Sequence, residues 1–313
     1  MDKKEIKASV LMVTYNHEKY IEESIRSAAN QKTDFYFEII VADDFSTDNT
    51  RKIIKKLAKE HPDFIRPIYQ KTNLGPQKNF QYALSQCRGQ YLAILEGDDY
   101  WVCNSKLQKQ VDFLESNSEI SGCFSRARVV SEEDPSSETI FPSQLFEKNQ
   151  FNLADILTGF FIPTLTVMYR TENIKNRLPN WHLDFPNGDW LIHIMNAQVG
   201  DIVLIDEVMG VYRIHSGGIW SMADRIDILI KSIRSAKKIN EYLNFKFGKI
   251  IRNNVSNWRY EMAYLAADQK SYSFAYRCAV MGLIEMPASL KKFLKALIAT
   301  TERAIRKTIN IDP

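Results

Sequence analysis

The sequence predicts an α/β protein with a mostly parallel central sheet flanked by helices and a helical C-terminal extension. Three observations carry that reading. Short apolar runs of strand type alternate with helical periodicities through the first hundred residues, the pattern of a parallel sheet covered on both faces. Polar clusters close three of those runs, at Thr14-Tyr15-Asn16, Asp43-Asp44 and Glu96 to Asp99. Ligands of such sheets sit beyond the carboxyl ends of the strands. From about Asp224 the apolar spacing turns helical almost to the end.

The elements follow in order. Ser9 to Thr14 is a short apolar strand, and Ile21, Ile25, Ala28 and Ala29 repeat at helical spacing. Glu38 to Ala42 is a buried strand that ends in Asp43-Asp44. Ser46 or Thr47 can cap the next helix, with Ile53, Ile54 and Leu57 inward. Ile65 to Gln70 is a third strand. The turn Asn73-Leu74-Gly75-Pro76 opens a helix with Phe80, Ala83 and Leu84 inward. Tyr91 to Leu95 is the fourth strand. Beyond Asp99 come a helix over Ser105 to Asn117, a strand over Gly122 to Val130, and a Ser-, Pro- and Glu-rich surface loop over Ser131 to Ser143. A short helix near Leu153 to Leu157, a strand near Thr166 to Tyr169, a helix over Asp189 to Val199 and a strand over Val208 to Ile214 complete the body. The expected organisation is 1–117 and 118–222 as two halves of one domain, then 223–313 as a helical region.

Composition narrows the function classes. At 313 residues, 45% hydrophobic and 25% charged, the chain supports a full core. A net charge of +3 is too small to imply a nucleic-acid partner. Cys87, Cys103, Cys123 and Cys278 form no C-x-x-C pair, which speaks against a zinc knuckle or a disulfide framework. No run approaches the length of a membrane span, and no signal-type apolar region follows the first residues. The expected location is cytoplasmic.

The chemistry sits at the strand ends. In an extended segment Glu96 and Asp98 share a face, and Asp99 begins the turn. Carboxylates this close repel unless a cation or donor compensates. A hard divalent ion does so, taking one or two carboxylates and filling its shell with phosphate oxygens and water. Gly97 would leave room for a ligand. The same quartet would also serve as a solvated acidic turn ahead of the helix near Lys106. Asp43-Asp44 reads as a helix cap, or as a base-recognition site in which Asp44 accepts from uracil N3–H while Thr14 and Tyr15 line the pocket.

Taken in series, Val13-Thr14-Tyr15-Asn16, Val41-Ala42-Asp43-Asp44-Phe45-Ser46-Thr47-Asp48, Asn73-Leu74-Gly75 and Glu96-Gly97-Asp98-Asp99 closely resemble the nucleotide-binding half of glycosyltransferase family 2. The resemblance runs from about Ser9 to about Ser221. It implies the GT-A fold and the transfer of a sugar from a nucleotide diphosphate to a hydroxyl acceptor with Mn²⁺ or Mg²⁺. It further implies that Thr14 and Asp44 contact the base with Asp43 alongside. Glu96 and Asp98 would face the ribose and metal, and the ion would be held by Asp98 or Asp99. Two positions depart from the pattern: Phe45 stands where the family usually has Gly, and Val102 to Ser105 replaces a proline-containing loop.

Further along, Gly188-Asp189-Trp190 looks like the family's base motif. The resemblance makes Asp189 the group that deprotonates the acceptor, where a plain reading makes it a helix cap. Arg213 and His215 share a strand face ahead of Gly217-Gly218, as in family members with Tyr-Arg-x-His-x-Gly-Gly, and would neutralise the departing diphosphate. Trp190 and Trp220 would stack on a sugar ring or fill the core.

The implied reaction is a single displacement with inversion, from a UDP-sugar, since Asp44 fits uracil N3–H, with dTDP- and GDP-sugars left open because thymine offers the same donor and guanine offers others. The acceptor would be a cell-surface polysaccharide or its lipid-linked precursor. A C-terminal basic amphipathic helix carries Lys291, Lys292, Lys295, Arg303, Arg306 and Lys307 among Leu290, Phe293, Leu294, Leu297, Ile298 and Ile305. It reads either as a peripheral contact with the inner face of an anionic membrane or as a capping helix with a solvated face. Two rivals remain. A metal-dependent nucleotidyltransferase usually has a Gly-rich basic loop after its first strand, whereas Val13 to Lys19 has no Gly and one Lys. A non-catalytic nucleotide-sugar-binding module would have no need of Asp189.

Overall fold

The computed structural model describes residues 5–134, 136–143, 146–185, 187–218 and 223–308, with the backbone alone for 184 and 306–308. Trp220 and Ser221 lie outside the described residues, as do the side chains of Arg306 and Lys307. The chain forms two compact units, Met1–Ile156 with Phe160–Ser216, and Leu157–Gly159 with Gly217–Pro313.

The first unit opens with β1 (Ile6–Thr14), α1 (Ile21–Ala29), β2 (Tyr36–Asp43), α2 (Thr50–Glu60), β3 (Ile65–Tyr69), α3 (Pro76–Gln86) and β4 (Tyr91–Glu96). It continues with β5 (Tyr100–Trp101), α4 (Lys106–Ser116), β6 (Gly122–Ser131), β7 (Thr139–Phe141), β8 (Gln150–Phe151), α5 (Leu153–Ile156), β9 (Met168–Arg170), α6 (Gly188–Ala197) and β10 (Ile202–Ile214). One sheet runs β3-β2-β1-β4-β9-β6-β10-β5, with β7 on β6 and β8 on β10. Strands β1 to β4 pair parallel with one another. Strand β9 is antiparallel to both β4 and β6, and β6 and β10 are parallel. Residues before and after position 117 therefore share a single sheet.

Register places the strand ends. Thr14 pairs with Asp43, and Val13 pairs with Glu96. The three polar clusters thus emerge side by side at one edge. Beneath them β1, β2 and β4 are buried almost throughout, and α1 closes one face with Ile21, Ile25 and Ala28. On α3 the inward place expected for Phe80 goes to Asn79, whose amide donates to Ala42 O at 2.9 Å. A polar side chain fits there because its hydrogen bonds are met.

Two stretches differ from the sequence reading. The loop expected over Ser131 to Ser143 contains β7, which pairs back on β6 through Phe141, Ile140 and Thr139. The β-branched and aromatic character of that triplet outweighs its polar flanks. Strand β10 begins at Ile202 rather than Val208. Asp206-Glu207 interrupts the apolar run, and a register shift between Ile205 and Val208 absorbs them within one strand.

The second unit holds α7 (Arg225–Tyr242), α8 (Gly248–Asp268), α9 (Tyr272–Glu285) and α10 (Leu290–Thr308). Asp224 caps α7, accepting from the amides of Ile226 and Asp227. Helix α8 packs against the other three.

At the sheet edge opposite the polar clusters, Glu38 is buried with its carboxylate fully engaged. It accepts from Ser9 Oγ (2.7 Å), Arg66 Nη1 (2.7 Å), and Arg88 through its amide (2.7 Å), Nε (2.9 Å) and Nη2 (2.7 Å). Burial raises this carboxyl, and the two arginines and Ser9 outweigh it, leaving the group below its ordinary value. Glu38→Ala should cost about 3 kcal/mol in urea denaturation at neutral pH. A depressed carboxyl stabilises the fold above its unfolded pKa and ceases to as pH falls through the folded value. The gap between wild type and variant should therefore close below about pH 4.

Candidate active site

The loops after β1 and β2 are tied to each other. Asn16 takes φ +56°, its amide donates to Ser46 Oγ at 2.9 Å, and its Oδ1 accepts the Thr47 amide at 2.8 Å. The His17 amide donates to Thr50 Oγ1 at 2.8 Å. Tyr15 stands exposed at the rim. Thr14 is buried, and its hydroxyl has no hydrogen-bond partner among the described residues.

Asp43 and Asp44 hold different parts of this edge. Buried Asp43 accepts the Ser46 amide at 3.2 Å and pairs with Arg51 through Oδ1, leaving Oδ2 without a partner among the described residues. Asp44 accepts the amides of Leu74 (2.7 Å) and Gly75 (2.8 Å), one on each oxygen. It thereby fixes the turn ahead of α3, where Gly75 has φ +83° and Pro76 takes the first helical turn. Neither residue is the N-cap of α2; that place belongs to Asn49. A carboxylate oxygen has two lone pairs, so Asp44 keeps acceptor capacity toward a ligand. Arg51, which the sequence reading passed over, also reaches Gln70 O at 2.5 Å and lies between the rings of Phe45 (5.1 Å) and Tyr69 (5.7 Å).

The acidic quartet is crowded from several sides. Asp98 Oδ2 lies 3.1 Å from His215 Nε2 and 3.7 Å from His17 Nε2. A carboxylate only accepts, so His215 Nε2 carries the proton of that bond. Burial raises the Asp98 carboxyl, but His215 and then His17 prevail, and it stays below its ordinary value. Asp99 accepts the Arg213 amide at 2.8 Å and is pushed well above the usual carboxylate range by burial, then by Asp98 and Glu96. Glu96 has a buried Oε2 with no partner among the described residues. Burial, then Asp98 and Asp189, push its carboxyl up to about 8. Gly97 makes room for Thr14 rather than for a ligand. A Cβ at that position would lie 2.6 Å from Thr14 Cβ and 2.7 Å from its Oγ1.

Arg213 and His215 share a face, as their spacing suggests, and that face meets the acidic turn. The Arg213 guanidinium donates to Asp98 O at 2.5 Å, pairs with Glu23, and lies over the rings of Tyr100 (4.3 Å) and Tyr20 (5.4 Å). Asp189 lies in the first turn of α6, whose N-cap is Asn187. Its Oδ1 accepts the Trp190 amide at 2.8 Å. Burial still prevails over that bond and over the Thr164 hydroxyl, so the carboxyl is raised. The low basicity expected of a capping Asp does not arise. Trp190 belongs to the core, 1% exposed, with its indole donating to Ile156 O at 3.0 Å; it has no face free for a sugar.

These acids act on one phenol, that of Tyr212. After burial, its phenol is raised by Asp99, Asp98, Glu96 and Asp189 in turn. His17 and Arg51 carry no signal in the sequence beyond their places near the polar clusters, whereas Tyr212 opens the Tyr-Arg-x-His-x-Gly-Gly pattern and went unused. Among the described residues, no group of three or more His, Cys, Asp or Glu side chains is arranged to hold a metal ion. The donors present are all-oxygen carboxylates with one buried oxygen unengaged on Glu96. They suit a hard cation that arrives with phosphate oxygens and needs only one or two protein ligands.

Comparison with known proteins gives a consistent picture. The family described as Glycosyl transferase family 2 matches residues 9–175. An uncharacterized protein of Mycobacterium tuberculosis, Rv1520, is 40% identical over 215 residues, 69% of this chain and 61% of that one. The chain thus spans about three fifths of that relative's length. The Escherichia coli UDP-Glc:alpha-D-GlcNAc-diphosphoundecaprenol beta-1,3-glucosyltransferase WfaP is 29% identical over 238 residues, 74% of this chain and 86% of that one. Among solved structures, Staphylococcus aureus TarS 1–349 with UDP-GlcNAc superposes with a TM-score of 0.64 at 20% identity, covering 96% of this chain and 92% of that one. The mannosyltransferase PcManGT from Pyrobaculum calidifontis, with GDP-Man and Mn²⁺, gives 0.58 at 16% identity, covering 98% and 88%. At these identities the structural likeness speaks for the fold alone.

Phe45 takes φ +67°, the left-handed conformation that glycine adopts freely and a β-branched residue resists. Phe45→Gly and Phe45→Val both remove the ring from Arg51, so their difference isolates the backbone. In thermal or urea melts, Phe45→Val should be less stable than Phe45→Gly by about 1–2 kcal/mol.

Proposed function

The chain belongs to glycosyl transferase family 2 and has the GT-A fold, and on that premise we propose that it transfers a sugar from a nucleotide diphosphate to an acceptor hydroxyl with inversion at the anomeric carbon. The single observation that carries this reading is that Asp189, from α6, acts on the same Tyr212 phenol as Glu96, Asp98 and Asp99 at the end of β4. An isolated acidic turn would not bring in Asp189 from a different element.

In this reading Thr14, Tyr15, Asp43 and Asp44 receive the base, and Glu96 faces the ribose. Asp98 is the metal ligand rather than Asp99, because its side chain is 21% exposed whereas Asp99 is 2% exposed and tied to the Arg213 amide. Mn²⁺ or Mg²⁺, bound with the donor, supplies the Lewis acidity that offsets charge on the departing diphosphate. Arg213 and His215 orient Asp98 through its carbonyl and carboxylate, and the Arg213 guanidinium adds positive charge on the same side. Asp189 takes the acceptor proton as the new bond to the anomeric carbon forms and the bond to the diphosphate oxygen breaks, with the nucleotide diphosphate leaving from the opposite face. A raised carboxyl is the better proton acceptor for that step.

Uridine is the favoured base, since the relative WfaP is named for UDP-Glc. WfaP is also named for a diphosphoundecaprenol-linked acceptor, which supports a lipid-linked glycan or cell-surface polysaccharide here. The proposed place of work is the cytoplasmic face of the membrane. No helix among the described residues is long and apolar enough to cross a membrane.

Asp189→Asn should leave UDP-sugar affinity within about twofold and cut transfer by roughly a hundredfold or more. Nucleotide release from UDP-, GDP- and dTDP-sugars, with free glycans and polyprenyl-diphosphate glycans as acceptors, measures it. Full activity in that variant would remove Asp189 from the reaction. Donor binding without turnover in the wild type across the whole panel would favour a binding module.

A further inference from the structure

Helices α9 and α10 form an antiparallel pair, joined by Tyr276 Oη to Thr301 Oγ1 at 2.9 Å and by Tyr272 Oη donating to Arg303 O at 3.1 Å. The side of α10 that carries Ala296 and Thr300 is buried. Its other side presents Leu290, Leu294, Ile298 and Ile305 to solvent, and α9 adds Val280 and Ile284. All six are between 46% and 64% exposed. On α10 the first three recur at i, i+4 and i+8, a continuous stripe along one face.

The charge on this pair is equally one-sided. Residues 290–308 contain six basic residues and one acidic one, a net +5 in a chain whose whole net charge is +3. Two of the basic residues are engaged on α8: Lys292 with Asn257 and Arg303 with Asp268. Lys291 and Lys295 are exposed and make no ion pair among the described residues. Each directly follows a stripe residue, Leu290 or Leu294, and so flanks the apolar band.

We infer that the α9–α10 face is a docking surface for the headgroup region of an anionic lipid bilayer. A stripe of large aliphatic side chains edged by lysines buries its apolar part at the acyl boundary while the ammonium groups meet lipid phosphates. The helix, about 28 Å long, lies in the plane of the interface; no described helix spans a bilayer. A second copy of the chain is the poorer occupant. A two-fold contact through this face would set Lys291 and Lys295 of one copy near those of the other. The inference rests on these helices and not on the transfer reaction. Vesicle binding by a chain with no transferase activity would leave it standing, and transferase activity without vesicle binding would end it.

The test is flotation of the full chain with phosphatidylcholine vesicles, with and without one-third phosphatidylglycerol. The wild type should float with the anionic vesicles, stay behind with the neutral ones, and be released by high salt. Lys291→Gln with Lys295→Gln should weaken anionic binding roughly 30-fold, and Leu294→Glu with Ile298→Glu should abolish it. All four positions are exposed, and unchanged melting temperatures would show that both variants fold. Failure of the wild type to bind anionic vesicles would overturn the inference, as would undiminished binding by the Glu variant. A dimer in solution that Leu294→Glu with Ile298→Glu converts to monomer would assign the face to a second copy instead.

Discussion

The structure turns on the electrostatic cost of placing four carboxylates around one space. Glu96, Asp98, Asp99 and Asp189 lie close enough to act on a single phenol, and their burial would not be tolerated with all four ionised. The protein meets the cost unevenly. His215 and then His17 hold the Asp98 carboxyl below its ordinary value against burial, while burial raises those of Glu96, Asp99 and Asp189. Such a site holds a standing preference for positive charge, and a cation that arrives with a diphosphate relieves it.

Everything around the acids serves to keep them in register. Pairing of Val13 with Glu96 and of Thr14 with Asp43 sets three strand ends level. Asp44 spends its hydrogen bonds on the turn before α3, and Asn16 on the loop after β2. Gly97 lets Thr14 pack against the acidic turn. At the far edge of the sheet, Glu38 with its two arginines ties β2 to β3 and to the turn before β4. The carboxylate there is stabilising because both of its oxygens are hydrogen-bonded; in the acid cluster Glu96 Oε2 has no partner among the described residues, which leaves it open to a ligand.

Much of this was legible in the sequence. Alternating periodicity located β1 to β4 and the helices between them, because buried strands and amphipathic helices impose different spacings on apolar residues. The acidic and Asp-Asp motifs marked the strand ends. Position 45 was visible as a departure from the family pattern, and the left-handed backbone of Phe45 shows what that position demands. What the sequence could not disclose arises from packing between distant segments. The approach of His17 to Asp98 and of Tyr212 to the acids depends on sheet order. So does the burial of Lys106, whose ammonium meets Gln110 at 2.6 Å and the Trp101 ring at 4.2 Å and is drawn down to about 7 by desolvation. Strand β7 was hidden by polar neighbours, and the early half of β10 by Asp206-Glu207. Trp190 looked as suited to a sugar as to the core, and only its contact with Ile156 O decides between them.

The central claim is that these acids and a nucleotide diphosphate together hold one divalent cation. Electron paramagnetic resonance of Mn²⁺ tests it directly, since the free ion's signal collapses on binding. The protein should take up little Mn²⁺ alone, and one equivalent beyond that held by free UDP once UDP is added; Asp98→Ala should lose that equivalent. Uptake that is indifferent to UDP, or unaltered in Asp98→Ala, would contradict the account.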